Sequence, residues 1–390
     1  MTTPRAMQPK ARPRRVGPFL GLNNRLEQTR MLVEAGAFLK VARNVELTAD
    51  GFLRSRDGFK QAAPGQFRSA WSDARDAYAV KDGDLVHLGP RLAQTVVVPG
   101  VGDARVSYER APDGMVYWTN GERIGRLLGA TAREIVTPAP NPVPVAIATT
   151  GALPAGRYQV CFTAVGADGE SPSTEPQQIV LPAGGGITFA GMTGSTRVYA
   201  TGPDGEVFNE APPSDFLTLD NFGAPCSTFM LQAMPPGRAI AWHKGSLLVA
   251  RGPYLFLSEP YRPGVLNASR GFLSFPAEIS VVQPLDDGLY VCADRTYWIP
   301  GDPLDTVPTV VLPFGALRGS STVDGRDGNG GLAAYWQSPL GVVVARPGGV
   351  VAVPQDAVLT FTGARSGATL VREQDGEKHV LAARFDVEPT

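Results

Sequence analysis

The chain reads as short apolar runs broken by turn residues at close intervals. In AYAVKDGDLVHL, MVYWTNGERIGRLL, SLLVARGPYLFLS, GLYVCADRTYWI and GVVVARPGGVVAV, two β-branched or aromatic runs flank a turn, with Asp-Gly, Asn-Gly, Gly-Pro or Pro-Gly-Gly among the turn residues. Those residues tolerate positive φ or pre-set a turn, so each stretch predicts a β-hairpin. One segment, Val33–Val45, places Leu32, Val33, Ala37, Phe38, Val41 and Ala42 near helical spacing. A short helix and extended chain with a single helical turn fit it equally, because Gly36 weakens the helical pattern.

The dipeptide Tyr-Trp closes three of the apolar runs, at Tyr117-Trp118, Tyr297-Trp298 and Tyr335-Trp336, with Gly121, Gly301 and Pro339 three positions after each Trp. Taking out a non-repeating stretch between the first two copies leaves a period of about 40 residues, the length of a β-propeller blade. About five or six blades fit the remaining chain at that period.

The non-repeating stretch runs from 138 to 236. It opens on the stiff run PAPNPVP and closes at Pro235-Pro236-Gly237. Inside it, Tyr158, Val160 and Phe162 alternate with Gln159, Cys161 and Thr163, as in a half-buried strand. Asp168-Gly169 makes a turn, Ile179–Leu181 a further strand, and STRVYATGPDGEVFNE a hairpin around Pro203-Asp204-Gly205. The phrase GRYQVCFTAVGADGESPST resembles the strand, turn and following loop of fibronectin type III or immunoglobulin-like sandwiches. The expected division is therefore a basic arm at 1–16, the first part of a propeller at 17–137, a sandwich insert at 138–236, and the rest of the propeller at 237–390.

Composition agrees with an all-β chain. Its 45 glycines and 35 prolines in 390 residues, without a Gly-X-Y period, exclude collagen and disfavour long helices. The net charge of −1 argues against a globally basic nucleic-acid binder. Charge is uneven, however: Arg5, Lys10, Arg12, Arg14 and Arg15 stand in the first fifteen residues without an acid. This Pro/Arg-rich stretch is either a solvated tail or an arm that docks on a neighbouring subunit or on nucleic acid. No apolar run is long enough to span a membrane, and no apolar region follows the basic start as in a secretory signal.

Candidate chemistry is sparse. Cys161, Cys226 and Cys292 lack disulfide or zinc spacing and read as small buried hydrophobes. His87, His243 and His379 have no neighbouring ligand and read as strand residues. Gly184-Gly185-Gly186 lacks the strand-to-helix setting of a phosphate loop. The run from Asp324 to Gly331 spaces its oxygens wrongly for calcium and reads as a glycine-rich loop. Asp286-Asp287 is a turn. No cofactor or metal is expected, and no catalytic constellation shows in the sequence.

The opening of the body is GPFLGLNNRLEQTRMLVEAGAFLKVARNVELTADGFLRSRDGFKQ. A Gly-x-Asn turn precedes an Asn-Val, Asp-Gly, Leu-x-x-Arg-x-Gly hairpin, with Gly21, Asn23, Asn44, Val45, Asp50, Gly51, Leu53, Arg56 and Gly58 in those places. This pattern resembles the start of bacteriophage tail proteins: the β-propeller nozzle and tail-tube proteins of short-tailed phages, and the DNA-stabilisation hub proteins below their portals. VSYERAPDGMVYWTNGERIGRL and LLVARGPYLFLSEPYRPG extend the likeness. The resemblance implies a non-enzymatic virion protein assembled in the host cytoplasm. Its partners would be copies of itself in a ring, six-fold if it continues the portal axis, and other tail proteins, with DNA passing without sequence-specific contact. Two alternatives are a tail-associated module that docks a fibre or recognises a host glycan through Trp71, Trp118, Trp242, Trp298 or Trp336, and a propeller-fold polysaccharide-degrading enzyme with two carboxylates.

Overall fold

The computed structural model describes residues 17–48, 50–56, 58, 60–73, 75–319, 321–325, 331–374 and 377–386. Nearly half of the chain is strand, and among the described residues the helical ones are short 3-10 turns.

Among the described residues, five four-stranded antiparallel sheets form the body, each an up-and-down meander. Sheet 1 comprises Phe67–Ser72, Ala77–Lys81, Asp84–Leu88 and Gln94–Val98. Sheet 2 comprises Ser107–Arg110, Val116–Thr119, Ile124–Leu128 and Thr131–Arg133. Sheet 3 follows with Ala239–His243, Ser246–Arg251, Tyr254–Leu257 and Phe272–Ser274. Sheet 4 is Val281–Leu285, Gly288–Cys292, Thr296–Pro300 and Thr309–Leu312. Sheet 5 is Thr322–Asp324, Ala333–Ser338, Gly341–Arg346 and Val350–Ala352. All five expected hairpins are present inside these sheets. The first shows why: Asp82 and Gly83 take φ of 50° and 93°, the two positive values that a tight hairpin matching strand twist requires.

Neighbouring sheets stack face to face through buried clusters. Tyr78 and Leu85 of sheet 1 meet Tyr108 and Trp118 of sheet 2. Tyr117 of sheet 2 meets Leu247 and Val249 of sheet 3. Leu248 and Leu255 of sheet 3 meet Leu289 and Ile299 of sheet 4. Tyr290 and Trp298 of sheet 4 meet Trp336 and Val343 of sheet 5. Each fully buried large side chain contributes about 1.5–3 kcal/mol, so these interfaces hold the body together. The first strands of all five sheets line one central cavity. Successive stacked meanders whose innermost strands share a central cavity make the architecture propeller-like.

The period of about 40 residues is visible in the starts of sheets 3, 4 and 5, at Ala239, Val281 and Thr322. The Tyr-Trp pairs do not mark one phase of it. Tyr117-Trp118 and Tyr335-Trp336 lie in second strands, whereas Tyr297-Trp298 lies in a third strand. In sheet 4 the second strand instead offers Tyr290, directly opposite Trp298, with ring centroids 4.5 Å apart.

Between sheets 2 and 3, Val145–Leu153 pairs with Gly185–Phe189, and Gly156–Gly166 pairs with Gln177–Leu181 and Thr196–Ala200, the latter with Asn209–Ala211. Both groups of strands feed one core that includes Leu153, Tyr158, Phe162, Ile187, Phe189 and Val198. After sheet 5, a long hairpin of Ser366–Gln374 and Glu377–Phe385 packs Val371 against Tyr335 and Val342.

Of the two conformations open to Val33–Val45, the chain takes the extended one. Leu32–Val33 and Gly36–Leu39 are strands, preceded by a 3-10 turn at Gln28–Arg30. The Ala37 amide donates to the Pro18 carbonyl at 3.0 Å rather than to a helical partner. Gly36 has φ of 151°, and a Cβ there would sit 2.4 Å from the Pro18 carbonyl oxygen. Strand pairing with Phe19–Leu22 thus overrides a weak helical spacing.

Candidate functional site

The cavity encloses about 1130 Å³. Trp71, Glu109, Trp242, His243, Gln283 and Thr322 stand on its wall, one or more from each sheet, and Leu370 of the C-terminal hairpin joins them. An innermost strand has a free edge, and its amides need acceptors. Ser69 Oγ accepts from the Val106 amide at 3.0 Å, and Ser107 Oγ from the Ile240 amide at 3.3 Å. The Glu109 carboxyl accepts from the Trp242 amide, but burial outweighs that bond and pushes its pKa up to about 8. Burial also lowers the pKa of His243, whose Nε2–H donates to the Gly301 carbonyl at 3.0 Å. Arg105 on the same wall is lowered by burial too. Among the described residues, no three His, Cys, Asp or Glu side chains gather as a metal-holding group.

Of the five tryptophans considered for sugar stacking, Trp118, Trp298 and Trp336 are buried between sheets. Trp71 and Trp242 reach the cavity. His87 is half-buried beside Asp76 at 3.3 Å, and Arg110 is clasped there by Asp73 and Asp76.

The N-terminal motif residues come together in a strap. The Asn23 side chain accepts the amides of Arg25 and Leu26, closing a turn. Gly21 ends up within the strand Phe19–Leu22. Asn44 takes φ of 55°, and its carbonyl receives the Arg56 amide at 3.0 Å. Asp50 and Gly51 turn the hairpin Val45–Leu47 to Leu53–Ser55, and the Gly51 carbonyl receives the Phe19 amide. Arg56 lies 3.9 Å from Glu46, which also approaches Arg372 of the C-terminal hairpin at 3.5 Å. Gly58 has open space around it. The anchor that sequence reasoning missed is Asn24. Its amide group donates to the Thr360 carbonyl at 2.8 Å and its oxygen accepts the Thr360 amide at 2.7 Å, while Arg25 pairs with Asp356. The strap is thereby tied to the segment that follows sheet 5. Its apolar residues stay outside: Leu32 is 79% and Val41 64% exposed, and Leu20, Leu22, Val33 and Leu53 are exposed with them.

The docking candidates Arg5, Lys10, Arg12, Arg14 and Arg15 lie outside the described residues, as does most of the glycine-rich loop after Asp324. Cys161 and Cys292 are buried, whereas Cys226 is half-buried. Cys292 is buried alone in sheet 4, but Cys161 and Cys226 meet in one cluster.

No protein-family model and no curated protein matches the chain. Among solved structures it is similar to a streptogramin B lyase, at 13% identity and a TM-score of 0.32, over 79% of this chain and 87% of that one. It is also similar to BBS1N in complex with ARL6DN, at 12% identity and a TM-score of 0.34, over 84% and 91% of the two chains. Overlaps this loose carry no function; the propeller-like architecture is read from the order of the sheets.

Proposed function

We propose that the chain is a structural component of a bacteriophage tail. It forms a homo-oligomeric ring between the head-proximal tail and distal parts or fibres and lines or plugs the DNA path. In this reading the five meanders are blades of a propeller and the strands between sheets 2 and 3 are a fibronectin-like insert. The observation that carries it is the strap over 17–55, where apolar residues remain in water on the outside of a body that already has its core. Leaving Leu32 and Val41 exposed forgoes about 25 cal/mol per Å² of apolar surface, which a second copy of the chain would recover. A ring contact of this kind buries more than ~2,000 Å². The mildly acidic balance of the body suits a wall along which DNA slides without sticking. Light scattering and electron microscopy of the purified full chain test the proposal: rings that join tail particles are expected. A monomer that stays monomeric at high concentration and does not join tails would overturn it.

A further inference from the structure

Cys161 and Cys226 are distant in sequence, yet the fold sets their side chains against one another. Cys161 lies in the middle of Gly156–Gly166, paired with Tyr199 in the neighbouring strand. Its side chain is fully buried with Tyr199 and Phe208, and Cys226 and Phe229 pack onto that cluster. Main-chain bonds hold the Cys226 segment in place. The Cys226 amide donates to the Phe208 carbonyl at 2.8 Å, and the rings of Phe208 and Phe229 stack with centroids 4.2 Å apart.

Both thiols are free, and their settings differ. Cys226 reaches solvent, whereas Cys161 is sealed. Cys226 Sγ lies 3.6 Å from Thr228 Oγ1. The proximity of the two thiols favours the thiolate at Cys226 and the protonated form at Cys161. The charged surroundings are Glu170, which opposes a thiolate at Cys226, and Arg197, 3.9 Å from Glu170; the Tyr199 hydroxyl donates to Glu170 at 2.7 Å. An accessible thiol of thiolate character beside a buried partner is the arrangement of an attacking and a resolving cysteine.

We propose that Cys161 and Cys226 form a dithiol modification site that a low-molecular-weight disulfide oxidises to an intramolecular disulfide. The Cys226 thiolate attacks one sulfur of the reagent RS–SR. A mixed disulfide forms at Cys226, the reagent S–S bond breaks, and one RS⁻ leaves. Cys161 then gives up its proton, to water or to RS⁻, and attacks the Cys226 sulfur. The Cys161–Cys226 bond forms and the second RS⁻ leaves. The protein loses two hydrogens and two electrons, and the reagent is reduced to two thiols. The cross-link ties the segment after Pro225 to the central strand of the insert. It therefore turns a packing contact on that face into a covalent one, independently of any role in a tail.

The test treats the native full chain with glutathione disulfide and follows intact mass and non-reducing peptide maps. The expected product is lighter by two hydrogens and yields one linked peptide pair, Cys161 with Cys226. Cys292 stays free; burial pushes its thiol up to about 12, and it serves as the internal control. Cys161→Ser should hold a glutathionyl group on Cys226, and Cys226→Ser should take up none while native, with circular dichroism confirming the fold of each. If either variant fails to fold, the wild-type map decides alone. A wild type that stops at the mixed disulfide, or that does not react at Cys226, overturns the proposal.

Discussion

Thr119 holds Gly237 by both main-chain groups. Its Oγ1 accepts the Gly237 amide at 2.9 Å and lies 2.8 Å from the Gly237 carbonyl oxygen, all of it buried. The hydroxyl has a single proton, and the Arg123 carbonyl at 3.0 Å competes for it. Gly237 is where the chain re-enters the body ahead of sheet 3, so the bond closes sheet 2 onto sheet 3 across the whole intervening stretch. A Cβ at Gly237 would lie 2.2 Å from the Ala250 carbonyl oxygen, so only glycine lets the chain pass. Thr119→Val keeps the shape and leaves the Gly237 amide without its acceptor in a dry site. It should cost about 1–3 kcal/mol, while Thr119→Ser should recover most of that. Urea denaturation of the two variants checks both; equal midpoints would refute the clamp.

Glu109 makes stability depend on pH in a stated direction. Its folded pKa of about 8 lies above the ordinary 4.5. Between those values the folded state keeps a proton that the unfolded state has released, so stability falls as pH rises through that window. Glu109→Gln keeps an oxygen for the Trp242 amide and cannot ionise. It should match the wild type near pH 5 and be the more stable protein near pH 9. Paired denaturation curves at the two pH values read the difference; curves that stay parallel would reject a buried neutral acid.

How much of this could be read in the chain follows from how local each signal is. A hairpin is announced by its own turn, so Asp82-Gly83 and Asn120-Gly121 were legible without any tertiary knowledge. The phase of the Tyr-Trp repeat was not, because second and third strands of a meander both bury aromatics against the next sheet. Around Gly36 helix and extended chain were equally open, and a strand pairing with residues on the far side of a turn decided for the extended form. The strap motif showed Asn23, whose bonds are local, and hid Asn24, whose partner Thr360 is at the other end of the chain. Glu109 and the pair Cys161–Cys226 carry no sequence signal: each owes its chemistry to burial or to a neighbour supplied by another strand.

Gly51 should be intolerant of a side chain. It has φ of 74°, and a Cβ would lie 2.7 Å from Pro18 Cβ and 3.1 Å from the Phe19 carbonyl oxygen. The left-handed backbone alone costs an alanine about 1–2 kcal/mol. Gly51→Ala should therefore free the strap while leaving the five sheets intact. Limited proteolysis is expected to cut the variant within 17–60 faster than the wild type, with a thermal transition of the body shifted little. Equal cleavage of both proteins would show that the hairpin does not fix the strap.

Assembly and folding come apart at Leu32 and Val41. Leu32 and Val41 are 79% and 64% exposed, so the isolated chain loses little by their replacement. Surface changes of this kind usually alter stability by no more than ~0.5 kcal/mol. In a ring they would be buried, and a carboxylate there would have to be desolvated without a partner, which costs several kcal/mol. Leu32→Asp combined with Val41→Asp should thus leave the melting temperature almost unchanged and shift the chain from ring to monomer in light scattering. A double variant that still forms rings would move the contact away from the strap. One that unfolds would mean these side chains belong to the core of the single chain after all.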